Sequence, residues 1–117
     1  MNIKTINIKN SKKYNGKSFS KDGLLYIYCG RPSKLSNPYE IGKDGNREDV
    51  IEKFKILSEP LFGDTPSILQ ENISDFIEYL KKVNPREVIL GCHCKPLSCH
   101  CDVIEKLVDN EFNKRLF

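Results

Sequence analysis

Residues 88–108 read VILGCHCKPLSCHCDVIEKLV and combine a strand, a turn and a helix in one unit. The segment 86–91 (REVILG) is short, apolar and non-alternating, which is typical of a strand buried on both faces of a parallel sheet. A cysteine-rich turn follows over residues 92–99. A final helix is then predicted from apolar residues that share one face: Val103, Ile104, Leu107, Val108 and Phe112.

Two more strands and a helix are predicted upstream of this unit. The segment 24–29 (LLYIYC) is typical of a buried strand, and residues 2–8 (NIKTINI) of a short one. The long loop from Gly30 to Gly45 ends at Asn46, a suitable helix N-cap. Helical spacing follows it in Val50, Phe54 and Leu57.

A second helix lies between these elements and the 86–91 strand. Thr65 and Pro66 are predicted to begin it, and Asn84 with Pro85 to end it. Its buried stripe comprises Leu69, Ile73, Phe76, Ile77 and Leu80. The order of elements predicts a small Rossmann-like, layered α/β domain with a short, mostly parallel sheet and about three helices.

Length and composition limit the classes of protein that need to be considered. The 117 residues predict a single domain over 1–117, with its motifs in about 24–108. A net charge of +3 is too mild for a protein that coats nucleic acid. No apolar run reaches the roughly 18 residues that span a bilayer, and no signal peptide is recognisable. Five cysteines, an odd number, argue against a disulfide framework, so we expect a cytoplasmic protein. The oligomeric state stays open, a homo-oligomer included.

The cysteine-rich turn allows three interpretations. Cys92 and Cys101 are small core residues in the simplest one. In the second, the cysteines bind zinc, but positions i and i+2 of a helix point about 200° apart. We therefore do not expect four cysteines to converge, and no metal or other cofactor is assigned. In the third, Cys94, Cys99 and His100 form a ligand or catalytic site at the helix start, where Cys99 would have a lowered pKa.

The loop after the 24–29 strand is the second candidate region. It also follows the carboxyl end of a strand, where ligands of α/β sheets bind. Arg31 and Arg47 suit phosphate or carboxylate, and Asn37 suits a base or sugar edge. The alternative without a ligand is an ordered loop whose arginines pair with nearby acidic residues such as Glu40. The candidate ligand residues of this loop are Gly30, Arg31, Pro32, Ser33, Asn37, Lys43 and Arg47.

The chain resembles a family of bacterial and bacteriophage proteins catalogued as domain of unknown function 4326. The resemblance covers about residues 24–108. It rests on Gly30-Arg31-Pro32-Ser33 before Asn37-Pro38, on Ile41-Gly42 before Arg47, and on Cys92-x-Cys94-x-Pro96-x-x-Cys99-His100-x-Asp102. His93 stands where tryptophan is common in the family, and Cys101 where a small residue is usual. The resemblance implies site positions and a bacterial or phage setting, but no reaction.

Together these observations predict a cytosolic α/β protein that binds a small anionic molecule, nucleotide-derived or otherwise phosphorylated. In a phage, such a protein could sequester a host immune nucleotide signal. One alternative is an enzyme of nucleotide or nucleoside metabolism, with Cys99 as nucleophile or with His100 and Asp102 in acid–base roles. Another is a zinc-stabilised interaction module. The binding hypothesis requires the two loops to meet at one crevice.

Overall fold

A computed structural model describes residues 1–9, 12–14, 18–31, 33–58, 67–95 and 97–113. Within these residues four strands and three helices follow one another. They are β1 (Asn2–Asn7), β2 (Phe19–Lys21), β3 (Leu24–Tyr28), α1 (Arg47–Ser58), α2 (Ile68–Val83), β4 (Glu87–Cys92) and α3 (His100–Asn113). The predicted small α/β domain with a short sheet and three helices is confirmed.

The sheet is mostly parallel, and its strand order is β1-β4-β3-β2. Strand β4 is central and runs parallel to both β1 and β3, which explains why the 86–91 segment is apolar throughout. Strand β2 pairs antiparallel with β3 at the edge and was not predicted. It is only three residues long, and a tight turn joins it to β3. Asp22 and Gly23 both have positive φ there, as a two-residue hairpin requires.

All three helices contribute to one core against a single face of the sheet. Val88 and Leu90 of β4 and Leu25 of β3 pack there with Phe54 of α1 and Ile104 of α3. The opposite face carries a small cluster of its own: Ile8, Tyr26 and Ile89, with Tyr14, Phe19 and other half-buried residues around them. The domain therefore has two layers and an aromatic cap. No helix in the described ranges is long and apolar enough to cross a membrane.

Helix ends follow the sequence signals with one exception. The side-chain Oδ1 of Asn46 accepts a hydrogen bond from the Asp49 N–H at 2.9 Å, so the predicted cap of α1 is confirmed. Helix α2 begins at Ile68 behind a capping box formed by Ser67 and Gln70. The predicted start was therefore wrong, and Thr65 and Pro66 lie outside the described residues. Asn84 adopts a left-handed conformation and ends α2 as predicted.

Candidate functional site

The loops that follow β3 and β4 meet at the carboxyl edge of the sheet. Arg47 Nη1 donates to the backbone oxygen of Ser98 at 3.2 Å, and His100 Nε2 lies 2.9 Å from the backbone oxygen of Cys29. Between the two loops lies a hollow of about 430 Å³. Six of the predicted residues line it: Arg31, Asn37, Arg47, Cys94, Cys99 and His100. The structure thus brings together the two regions that sequence analysis selected separately.

The hollow has further walls that the sequence did not single out. They are formed by Tyr39, Glu40, Ile41, Val50, Ile51 and Ser98. Val50 and Ile51 belong to the first turn of α1 and carry the apolar pattern of any helix, so nothing in the sequence distinguished them from core residues. Tyr39 had a signal, since it lies between Asn37-Pro38 and Ile41-Gly42 of the family-like motif.

The side chain of Arg31 makes three hydrogen bonds, all of them within its own loop. Its Nη1 contacts Glu40 Oε1 at 3.1 Å, and its Nη2 donates to the backbone oxygens of Asn37 and Tyr39. The side chain is 55% exposed. The alternative interpretation, in which this arginine pairs with Glu40, therefore describes part of its role. Arg31 shapes the wall of the hollow and keeps a charge that Glu40 partly offsets.

Of the two arginines on the hollow, Arg47 makes fewer hydrogen bonds than Arg31. It occupies the first position of α1, and the bond to Ser98 is the only hydrogen bond that its side chain makes to the described part of the chain. A guanidinium group has five N–H donors, so the bond to Ser98 leaves several. Because Arg47 also joins the loop after β3 to the loop after β4, its position depends on both.

Asn37 uses one donor and one acceptor of its amide to hold its own loop. Its Nδ2 donates to the backbone oxygen of Val50 at 3.0 Å, and its Oδ1 accepts from the N–H of Tyr39 at 2.9 Å. These two bonds fix the loop against α1. The structure therefore gives Asn37 a role in positioning Tyr39 and the start of α1, and its role in ligand recognition stays a prediction.

Three other predicted ligand residues, Gly30, Ser33 and Lys43, do not line the hollow. Gly30 and Ser33 build the turn after β3, where the Ser33 N–H donates to the Gly30 oxygen at 2.8 Å. A side chain at Gly30 would collide with the Tyr28 hydroxyl. Lys43 is exposed on the outer part of the loop. Pro32 lies outside the described residues.

The start of α3 uses Asp102 as a capping group. Asp102 Oδ2 accepts from the Cys99 N–H at 3.1 Å, and its Oδ1 forms an ion pair with Lys95 Nζ at 2.6 Å. This hydrogen bond raises the pKa of Lys95. No hydrogen bond or ion pair in the described ranges joins Asp102 to His100, and an acid–base role for the two residues stays a prediction.

His100 is held as a neutral imidazole. Burial lowers its pKa. Its Nε2 faces a carbonyl oxygen, which only accepts, so Nε2 carries the proton and Nδ1 is left as an acceptor 3.7 Å from Cys99 Sγ. The ring packs edge-on against Phe54, with centroids 5.1 Å apart. His100 is therefore a fixed part of the wall between the hollow and the core.

Cys99 does not have the lowered pKa that its place at a helix start predicted. The Cys101 thiol lowers it, but the hydrogen bond to Cys92 and the burial of Cys99 outweigh that effect and raise the pKa of Cys99 to about 12. The residue is 1% exposed. Cys94 is the half-buried thiol on the hollow and the one that a ligand can reach.

Beneath the hollow lies a group of buried thiols, here called the sulfur cluster: Cys29, Cys92, Cys99 and Cys101. The Sγ atoms of Cys92, Cys99 and Cys101 lie within 4.8 Å of one another. The Cys101 thiol contacts the thiols of Cys29, Cys92 and Cys99, and the pKa of Cys101 is raised as a result. Thiol donors from Cys101 and Cys99 lower the pKa of Cys92.

The four cysteines of the turn do not all converge, as expected, since Cys94 lies outside the group; three of them nevertheless meet, which the argument from helical spacing did not anticipate. The expectation assumed that Cys99 and Cys101 both lie on a helix surface. In the structure α3 begins at His100, so Cys99 occupies the cap and its side chain is not bound by helical periodicity. Cys29 was not considered as a partner, because only the parallel pairing of β3 with β4 brings their carboxyl ends together.

The fold and site define a small two-layer α/β protein with a polar hollow at the carboxyl ends of two parallel strands and buried thiols below it. A family model described as a domain of unknown function (DUF4326) matches residues 8–110, and the chain belongs to that family. Comparison with curated proteins and with solved structures gives no significant match.

Proposed function

We propose that this protein binds a small anionic molecule, nucleotide-derived or otherwise phosphorylated, in the hollow between the loops after β3 and β4. The observation that carries the proposal is the meeting of Arg31, Arg47 and the first turn of α3 at one hollow. Two guanidinium groups and a helix N-terminus all favour negative charge. Ligands of α/β sheets bind at this same edge, outside the carboxyl ends of the strands.

The shape and lining of the hollow suit a nucleotide-sized ligand. Its volume of about 430 Å³ lies in the range typical of small-molecule sites, roughly 300–1,000 Å³. Tyr39, Ile41 and Ile51 offer apolar surface against which a flat ring can lie, while the cations lie on the same hollow. An anion held near Arg47 could therefore carry a ring that contacts the Tyr39 side.

Binding without turnover is the form of the proposal that the site supports. The predicted nucleophile Cys99 is buried with a raised pKa, and Asp102 is held by Lys95 and the α3 cap. His100 is neutral, with its Nε2 bonded to a backbone oxygen. The enzyme alternative, the phage setting and a host immune signal as the ligand stay predictions.

Calorimetry and thermal-shift measurements test the proposal. The panel would contain inorganic phosphate, AMP, ATP, ADP-ribose and cyclic dinucleotides. We expect at least one nucleotide to bind, and Arg47→Gln to weaken its affinity by about tenfold to 100-fold, the range of a charge-assisted hydrogen bond.

The matched control is Lys55→Gln, which removes one positive charge from an exposed position of the same helix. The affinity of Lys55→Gln for the nucleotide should equal that of the wild type. Mass spectrometry of the bound ligand after incubation should return it unchanged. A folded protein that responds to no compound of the panel, or an equal loss of affinity in both variants, would contradict the proposal.

A further inference from the structure

The sulfur cluster brings thiols from three separate parts of the chain into one buried space. Cys29 follows β3, Cys92 ends β4, and Cys99 with Cys101 begins α3. The four residues are at most 2% exposed. A need for small core residues explains their burial, but it does not explain why the sulfur atoms of Cys92, Cys99 and Cys101, which come from two separate elements, lie within 4.8 Å of one another.

The backbone around the cluster supplies hydrogen-bond donors to its sulfur atoms. The N–H groups of Cys94 and Lys95 are placed to donate to Cys92 Sγ, and the N–H of Cys101 to Cys99 Sγ. Such amide donors stabilise anionic sulfur and orient metal-binding thiolates. The N-terminus of α3, which carries Cys99 and Cys101, adds a favourable partial charge. These donors and the helix N-terminus would offset part of the negative charge of thiolates bound to a metal ion.

We infer that Cys92, Cys99 and Cys101, with Cys29 as the fourth ligand, bind one Zn²⁺ ion. Thiolates select soft or borderline metals, and closed, four-coordinate thiolate sites are typical of structural zinc. A Zn–S bond of about 2.3 Å places the sulfurs of a tetrahedral site about 3.8 Å apart. The three sulfurs of Cys92, Cys99 and Cys101, within 4.8 Å of one another, need to move by only about 1 Å.

Cys29 is a better fourth ligand than His100. The Cys29 thiol is fully buried beside that of Cys101. It donates to the backbone oxygen of Ile27 at 3.7 Å, a bond that it would give up to bind the ion. The Nε2 of His100 is bonded to the Cys29 backbone oxygen, and its ring is packed on Phe54. A bound ion would tie the ends of β3 and β4 to the first turn of α3 and so stiffen the floor of the hollow. This inference does not depend on the proposed ligand.

Metal analysis of the full chain tests the inference. After expression with zinc and purification without chelators, we expect about one zinc per chain. Replacement by Co²⁺ should give an intense visible absorption with a sulfur-to-metal charge-transfer band, as four thiolates produce. With metal bound, a thiol reagent should label Cys94 alone, and chelation should expose the four cluster thiols. Each readout uses the wild-type chain, so it does not depend on whether a variant folds.

Variants then assign the ligands. Cys92→Ser, Cys101→Ser and Cys29→Ser should each lower zinc affinity at least tenfold, and Cys29→Ser should shift the Co²⁺ spectrum toward higher energy. The matched control is Cys94→Ser, a thiol of the same turn outside the cluster, which should retain one zinc. A wild-type chain that is folded but binds neither Zn²⁺ nor Co²⁺ overturns the inference, as does a disulfide found within the cluster. An unchanged spectrum in Cys29→Ser overturns the assignment of Cys29.

Discussion

The hollow and the sulfur cluster lie side by side at the ends of the same two strands, yet their polar groups are satisfied in different ways. In the hollow, Arg31, Asn37 and Arg47 reach backbone oxygens of neighbouring loops and remain partly open to solvent. In the cluster, buried thiols face one another and nearby amides. The comparison teaches that water can replace a lost partner in the first region, whereas in the buried second region it cannot.

The largest effect on stability is expected at Phe54, which packs behind the His100 wall of the hollow. Phe54 is fully buried in the core and packs edge-on against His100. Phe54→Ala should lower the free energy of unfolding by about 3–5 kcal/mol, because the large cavity left behind cannot be filled by water or by its neighbours. Urea denaturation measures this loss. Exposed Ile56→Ala on the same helix serves as the control and should change stability by less than about 0.5 kcal/mol.

If Phe54→Ala were tolerated at a cost below about 1 kcal/mol, the boundary between hollow and core would be loosely packed. The contrast between a solvent-accessible hollow and a tightly packed region below it would then be wrong.

The buried Tyr26 hydroxyl, on the other face of the sheet, tests how a polar group without a hydrogen-bond partner affects stability. Tyr26 is 0% exposed, and its hydroxyl has no hydrogen-bond partner among the described residues. Burial raises the pKa of Tyr26 from 10.0 to about 12. The folded state thus favours the protonated form, so stability is retained below pH 10 and is lost as the pH rises from 10 to 12. The loss for this group is about 2–3 kcal/mol.

Tyr26→Phe should remove that alkaline loss, and at pH 7 it should leave the protein equally stable or up to about 1 kcal/mol more stable. Denaturation curves of wild type and variant at pH 7 to 11.5 check both expectations, since the difference between them cancels the titration of other groups. A variant that is destabilised by more than about 1 kcal/mol at pH 7 would show that the hydroxyl has a partner.

The smallest of these losses of stability is expected at the wall of the hollow. Asn37→Ala removes the bonds to Val50 and Tyr39 and should cost about 1–2 kcal/mol. Because the loop is partly exposed, water replaces part of what is lost. Exposed Lys43→Ala in the same loop is the control and should change neither stability nor ligand affinity. If Asn37→Ala kept wild-type stability but lost affinity for the ligand, this would support the predicted role of Asn37 in direct ligand recognition.

Local signals in the sequence predicted most of the fold. The apolar runs predicted β3 and β4, and helical spacing together with Asn46 and Asn84 predicted the helices. Strand β2 escaped because three residues are too few to show a period. The start of α2 was misplaced because Pro66 is a strong signal for a first helical position, while the capping box of Ser67 and Gln70 lies next to it.

The sequence likewise predicted some features of the candidate site, while others depend on tertiary packing. Residue type and position after a strand were enough to select Arg31, Arg47 and the Cys94–His100 turn, because chain order places both loops at the carboxyl edge of a parallel sheet. The protonation and exposure of Cys99, the two occupied atoms of Asn37 and the meeting of Cys29 with Cys101 arise only from tertiary packing. Periodicity reports which face of an element is buried, but the distances between side chains of different elements depend on how the sheet and helices pack.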